Sequence, residues 1–275
     1  MEPHADSGGT PLRPRRRRAD CWRGHKRGPE ALAPACLIPP PFSIEPQPDD
    51  ATCGPTCLHA VYQHHGLELP LEEVIRTCRQ LEQGGTLAVL LGQDALRRGF
   101  RATIWTWHLT VFDPSWFEGG PDRVREGLEA QSASGKPEVV RRYSREYLRF
   151  LELGGRLELA DLTPALLRRH LKQGNPIITG LSATYLYRTA REVVNEQGRL
   201  EFHDVEGSPQ GHFVVLVAYD PEERRALVAD PLQPNPVAAS ARYEVSLDRL
   251  VNAILLGSVT HDANILVVQP ARRAR

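Results

Sequence analysis

The chain has 275 residues and a formal net charge of zero, with 41% apolar and 25% charged residues. That length is enough to bury a core without disulfide or metal crosslinks. The balanced charge gives no reason to expect a nucleic-acid partner. Five cysteines, an odd number, favour reduced thiols and hence a cytoplasmic protein. No run of eighteen apolar residues occurs, so no membrane span is predicted. The sequence does not predict the oligomeric state.

Residues 1–40 are rich in Gly, Pro and Arg, have no hydrophobic periodicity, and are predicted to form a disordered tail. Within them, residues 11–27 carry eight Arg or Lys side chains against one acid, Asp20. An export signal would need an apolar segment next, but residues 31–38 are short and run into three prolines. We interpret the basic run as a solvated tail, because it lacks the aromatic partners that stack on bases.

Residues 41–270 are predicted to form one folded domain. Its first part, about 41–172, is helical. Helical periodicity and stop signals predict helices at 54–65, 70–82, 87–98 and 162–171, the last with Thr163 as N-cap, and alternation predicts one strand at 101–107. The charged stretch 113–160 is interpreted as a helical insertion.

The second part, about 173–270, changes character. It contains short apolar strands at 177–181, 212–219, 225–229 and 265–268, and one helix at 247–255. Helices followed by mostly antiparallel strands indicate an α+β fold.

One stretch combines three features that suit thiol chemistry. Cys53 lies at the start of a predicted helix, where free backbone N–H groups and the helix dipole favour a thiolate. Gly54 allows a close backbone approach, and Pro55 suits the first helical turn. Gln47, six residues upstream, carries an amide that could donate to an oxyanion beside the Cys53 N–H. The spacing is much more specific than a helix-starting cysteine alone.

A thiolate nucleophile needs a base, and the base needs a group that orients it. His212 opens the most apolar strand of the chain, residues 213–220, so its side chain would be rigidly held yet reachable. The next strand ends at Asp230. A β-hairpin would return Asp230 to the vicinity of His212, where it could fix the tautomer of the ring.

Other histidines fit less well. His64 and His65 lie on the order of 16–18 Å along the helix axis from the cysteine, given a rise of about 1.5 Å per residue. His59 lies on that same helix, and His108 ends a predicted strand and stays open as a base.

The pattern Gln-x5-Cys-Gly-Pro, a later Gly-His-Phe-Val-Val strand and a further strand ending in Asp-Pro resembles the double-glycine-leader cysteine peptidases. These are the bacteriocin-processing peptidases of the papain-like clan, with their stand-alone relatives. The resemblance implies a papain-like fold with Cys53 as nucleophile, His212 as base, Asp230 as the orienting acid and Gln47 in the oxyanion hole. It also implies a peptide or amide substrate with small residues such as glycine at the scissile bond.

The resemblance covers about residues 43–110 and 175–270. The sequence departs from the exporter-linked members in two ways: nothing in it resembles their transmembrane transporter, and the helical stretch 113–160 has no counterpart. Both leave substrate identity open.

Several rival interpretations exist for these residues. Cys57, one turn after Cys53, and Cys78 are interpreted as core residues, although Cys57 could serve as a resolving thiol. A zinc site would need ligands from distant segments, and no phosphate-binding glycine loop occurs, so we expect neither metal nor cofactor. Three tryptophans between 105 and 116 fit a core better than a cleft.

For function, the sequence predicts a cysteine peptidase or amidase that works through a thioester. A thiol acyltransferase that passes the acyl group to an amine, and a non-catalytic peptide-binding relative, remain the alternatives.

Overall fold

The computed structural model describes residues 42–80, 85–195, 197 and 199–271. The predicted tail and the last residues of the predicted helix 70–82 lie outside these ranges. The helices are α1 Cys53–His64, α2 Leu71–Thr77, α3 Ala88–Arg97, α4 Pro114–Glu118, α5 Gly120–Ser132, α6 Glu138–Glu152, α7 Pro164–Lys172, α8 Ala183–Tyr187 and α9 Leu247–Leu256, followed by a 3-10 turn at Gly257–Thr260. The strands are β1 Phe100–Thr106, β2 Arg156–Glu158, β3 Ile177–Ser182, β4 Glu192–Val194, β5 Leu200–Phe202, β6 Gly211–Asp220, β7 Arg225–Ala229, β8 Arg242–Ser246 and β9 Asn264–Pro270.

A seven-stranded sheet in the order β2-β1-β9-β3-β6-β7-β8 forms the centre of the fold. The β1–β2 pair is parallel and the other pairs in this sheet are antiparallel. Strands β4 and β5 make a separate two-stranded hairpin. The predicted α+β class is confirmed, with helices before and around a mostly antiparallel sheet. Two strands from the first part of the chain, β1 and β2, join that sheet.

The helices form where the sequence supplies their ends and one apolar face. Thr163 caps α7, its hydroxyl oxygen accepting from the Leu166 N–H, and Pro164 occupies the first turn. α1 is buried along almost its whole length and packs on α2, α3 and β6. The predicted helices and strands outside the middle segment agree with the structure to within one or two residues at their ends, with one exception. The predicted helix 70–82 stops at Thr77, and residues 78–80 are not helical.

The stretch 113–160 is helical up to Glu152, as predicted, but its end forms the short strand β2 instead. It contains α4, α5 and α6, and α5 and α6 pack against each other. α6 also packs on α3, and Gln93 of α3 donates to the Glu146 carbonyl of α6 at 2.9 Å. The segment therefore packs on α3, which itself packs on α1.

The short elements that were not predicted from the sequence are α8, the edge strands β2 and β8, and the β4–β5 hairpin. The five residues of β8 alternate between exposed positions and positions that are partly or fully buried. Among the described residues, no helix combines the length and the apolar character needed to cross a membrane.

Candidate functional site

Cys53 is the first residue of α1, and its side chain is 8% exposed. The preceding Thr52 occupies the N-cap position, but its side chain makes no capping hydrogen bond, and the first turn holds no acidic residue. The Thr52 hydroxyl instead donates to the Asp49 carbonyl at 3.1 Å. Because no side chain caps them, the N–H groups of the first turn remain available to a negatively charged group.

Gly54 allows this end of the helix to approach the rest of the protein closely. A Cβ at that position would lie 2.3 Å from Cγ2 of Thr86 and 3.3 Å from the ring of Phe213. The sequence predicted that Gly54 allows a close approach of the backbone to a substrate. In the structure, side chains of the protein itself approach Gly54 closely. The start of α1 therefore packs closely against the start of β6.

His212 is the second residue of β6, and Asp230 follows directly after β7. The two strands form the predicted antiparallel hairpin, in which Val215 pairs with Ala229. As a result His212 Nε2 lies 2.8 Å from Asp230 Oδ1. Cys53 of α1 is the other neighbour of the imidazole and influences the pKa of His212. Since Nε2 is taken by Asp230, Nδ1 is the ring nitrogen left for the sulfur.

The carboxylate of Asp230 is fully buried and saturated with hydrogen bonds. Oδ1 accepts from His212 and from the Leu232 N–H at 3.0 Å. Oδ2 accepts from two phenol hydroxyls, Tyr187 at 2.8 Å and Tyr243 at 2.7 Å. A buried carboxylate needs such partners, because an unpaired one would be very costly.

These contacts set the charge of the pair. Burial raises the pKa of Asp230, but the His212 charge and the hydrogen bonds from His212, Leu232 and Tyr243 outweigh it and hold that pKa below its ordinary value. Burial lowers the pKa of His212, but the charge of Asp230, the hydrogen bond with Asp230 and the neighbouring Cys53 raise it to about 10. The pair is therefore an imidazolium beside a carboxylate at neutral pH.

Gln47 lies beside the same end of the sheet. Its backbone N–H donates to the carbonyl of Pro231, the residue after Asp230, at 2.9 Å. Its side-chain amide donates to the Asp49 carbonyl at 2.9 Å, in the loop that leads to Cys53. An amide has two hydrogens. One of them is donated to Asp49, which leaves the second for an oxyanion. The role of Gln47 in an oxyanion hole stays a prediction.

The other two thiols among the described residues lie in the core. Cys57 is fully buried with its Sγ 3.3 Å from the Phe213 carbonyl oxygen, and burial, followed by the nearby Cys53 and Asp230, raises the pKa of its thiol well above the usual range. Cys78 is buried as well. These two are core residues, as interpreted from their helical positions.

The alternative histidine bases have other partners. The ring nitrogens Nε2 of His59, His64 and His65 lie within hydrogen-bond distance of the backbone carbonyls of Leu69, Gly174 and Val268, respectively. His108 faces His261, with 3.4 Å between ring nitrogens, and burial together with that neighbour lowers the pKa of His108 to about 4. Within the described residues, no group of three or more His, Cys, Asp or Glu side chains is placed to hold a metal ion.

Comparison with known proteins adds independent information. The sequence model of the Peptidase_C39-like family matches residues 131–249. The resemblance to the C39-like peptidases is confirmed. The matched range contains His212 and Asp230, whereas Cys53 and Gln47 precede it. No curated protein sequence matches the chain.

Several solved structures are similar to this chain. A protein from Bacillus anthracis described as a C39-like peptidase has 14% identity and a TM-score of 0.48, over 86% of this chain and 98% of its own. The peptidase domain of Streptococcus ComA, a bifunctional ABC transporter, has 14% identity and a TM-score of 0.39, over 84% and 99%. Xylellain, a cysteine protease from Xylella fastidiosa, has 17% identity and a TM-score of 0.40, over 88% of both chains.

The sequence analysis missed two members of the site, Tyr187 and Tyr243. Tyr187 ends the short helix α8, and Tyr243 lies on the edge strand β8, so both belong to elements that the patterns did not predict. Only the pairing of β8 with β7, in which Tyr243 lies opposite Val228, brings the second phenol to Asp230.

Proposed function

We propose that this C39-like chain is a cysteine peptidase or amidase that hydrolyses a peptide or amide bond through a thioester. The observation that carries the proposal is the buried His212–Asp230 pair next to Cys53, which lies at the start of an uncapped helix. A thiol, an imidazole held by a buried carboxylate, and free backbone donors are the parts that acyl transfer through sulfur requires.

In the first half of the reaction the Cys53 sulfur attacks the substrate carbonyl carbon, and the carbonyl oxygen becomes an oxyanion. The backbone N–H of Cys53 and the free amide hydrogen of Gln47 would donate to that oxyanion. His212 then gives its proton to the leaving amine, the C–N bond breaks, and a thioester remains on Cys53.

In the second half the neutral His212 ring accepts a proton from water while the water oxygen attacks the thioester. The C–S bond breaks, the carboxylic acid leaves, and the thiolate–imidazolium pair is restored. Asp230 keeps its charge throughout and holds Nε2, so that Nδ1 alone exchanges the proton.

For the substrate we propose a peptide with small residues such as glycine at the scissile bond. The family resemblance supports this choice. Exporter-linked relatives include an ABC-transporter peptidase domain, but the sequence of this chain contains no transporter segment.

The direct test is mass spectrometry of peptides incubated with the full chain in water enriched in oxygen-18. Each peptide would carry one internal Gly-Gly pair, with Val-Val versions as the comparison. We expect fragments with one heavy oxygen in the new carboxylate, formed by wild type and Cys57→Ala but not by Cys53→Ala. Fragments that carry an added amine instead would identify an acyltransferase, and intact peptides retained equally by Cys53→Ala would identify a binding module.

A further inference from the structure

Asp230 accepts four hydrogen bonds, and only one of them comes from the histidine that it orients. The two on Oδ1, from His212 and the Leu232 backbone, fix the orientation of the carboxylate toward the ring. The two on Oδ2 are phenols that arrive from different elements, Tyr187 from α8 and Tyr243 from β8. We propose that Tyr187 and Tyr243 are positioning residues that hold the Asp230 carboxylate in plane with His212 and reduce the negative charge that His212 meets.

The geometry gives both phenols this role. Tyr187 is 8% exposed, its ring centroid lies 6.0 Å from that of His212, and its hydroxyl reaches Oδ2 at 2.8 Å. Tyr243 approaches the same oxygen at 2.7 Å. With Oδ2 held by two donors, rotation of the carboxylate away from His212 would break two hydrogen bonds as well as the one to the ring.

The phenols remain donors over the whole working range of pH. Burial, followed by the charge of Asp230, raises the pKa of Tyr187 and of Tyr243 above the ordinary value of a phenol. Both hydroxyls therefore keep their protons and share the charge of the carboxylate by donating to it.

The inference rests on the proposed function and concerns the acid strength of His212. The groups that face this ring are Asp230 after β7, Cys53 of α1 and Tyr187 of α8, with Tyr243 of β8 acting through Asp230. A bare carboxylate would hold the imidazolium proton more tightly. By donating to the carboxylate, the two phenols weaken its attraction for the imidazolium proton. Transfer of that proton to a leaving amine is thereby favoured.

The test needs no substrate. Iodoacetate carries a negative charge and iodoacetamide does not, so the ratio of their rates at Cys53 reports the charge on the neighbouring His212. In wild type the ratio falls as His212 loses its proton. We expect the midpoint of that fall to move up by about half a pH unit in Tyr187→Phe and in Tyr243→Phe. In Asp230→Asn it should move down.

Tyr62→Phe is the matched control. Tyr62 lies near the opposite end of α1 from Cys53, is fully buried, and donates to a different carboxylate, Asp94 Oδ2, at 2.8 Å. Its removal should lower stability and leave the midpoint unchanged. A midpoint in both Tyr187→Phe and Tyr243→Phe that equals the Tyr62→Phe value, or lies below it, overturns the inference. A wild-type ratio without any pH-dependent fall overturns the proposed function itself, together with this inference.

Discussion

His212 Nε2 and Asp230 Oδ1 are 2.8 Å apart, although 18 residues separate them in the chain. The β6–β7 hairpin produces this contact, because one residue opens β6 and the other follows the end of β7. Both side chains are buried, and a buried ion pair seldom adds net stability over an apolar pair of similar size. The pair is therefore not explained by a gain in stability over an apolar pair. We interpret the contact as one that orients the ring toward Cys53.

The first prediction concerns the reactivity of Cys53. His212→Ala should slow iodoacetamide labelling of Cys53 at pH 6 by about tenfold or more, because the imidazolium that stabilises the thiolate is lost. Labelling followed by mass spectrometry measures the rate at each of the five cysteines separately.

Two comparisons make that measurement specific. Cys57 and Cys78 are buried and serve as slow internal references in the same sample. His59→Ala removes another buried histidine from α1, whose ring lies 2.8 Å from the Leu69 carbonyl oxygen, and should leave Cys53 labelling unchanged. Equal labelling of Cys53 in wild type and His212→Ala would contradict the proposed pair.

A second prediction tests Gln47. Gln47→Met keeps the approximate length of the side chain and adds no charge but has no N–H group, so it cannot donate to an oxyanion. Loss of one such donor lowers kcat by about 100- to 1,000-fold in comparable sites. We expect that loss with KM nearly unchanged, measured on the best cleaved peptide, while the iodoacetamide rate of Cys53 stays near wild type. A change in KM alone would assign Gln47 to substrate binding.

The sequence predicted the contact between His212 and Asp230 because it depends on a local hairpin. Strand lengths and the turn between them determine which residues lie side by side, and both are visible in the pattern of apolar residues. Cys53 was likewise recognisable, since helix-start signals and the Gln-to-Cys spacing are features of one short segment.

The two tyrosines could not be predicted in the same way. Tyr187 reaches Asp230 from a five-residue helix, and Tyr243 from an edge strand whose partner is known only once the sheet order is known. Short elements depend on tertiary contacts more than on intrinsic propensity. For the same reason, the sequence did not show that the space around Gly54 is filled by Thr86 and Phe213.

The third prediction concerns stability and pH. The pKa of His212 lies above its ordinary value of 6.5, at about 10, so the stabilisation from its proton is fully present below pH 6.5 and is lost as pH rises toward 10. The difference in unfolding free energy between wild type and Asp230→Asn should therefore shrink between pH 6.5 and 10. Urea unfolding at four pH values measures it, and a difference that stays constant would show that the pair is not charged.

The last prediction concerns the approach of α1 to the sheet. Gly54→Ala places a Cβ 2.3 Å from Thr86 Cγ2, a distance that atoms do not tolerate, so either the Thr86 side chain or the start of α1 must shift. We expect a loss of about 1–3 kcal/mol in unfolding free energy, typical of overpacking, and slower labelling of the adjacent Cys53.

Thr86→Ser supplies the matched compensating change. It deletes Cγ2 and keeps the hydroxyl that donates to the Arg79 carbonyl at 3.1 Å. The double variant Gly54→Ala/Thr86→Ser should regain much of the stability and most of the Cys53 labelling rate, because the clash is removed while the hydrogen bond remains. Strictly additive effects in this double-mutant cycle would mean that Thr86 does not limit the approach. The position of the thiol would then depend on the contacts of Gly54 with Leu91 and Phe213 instead.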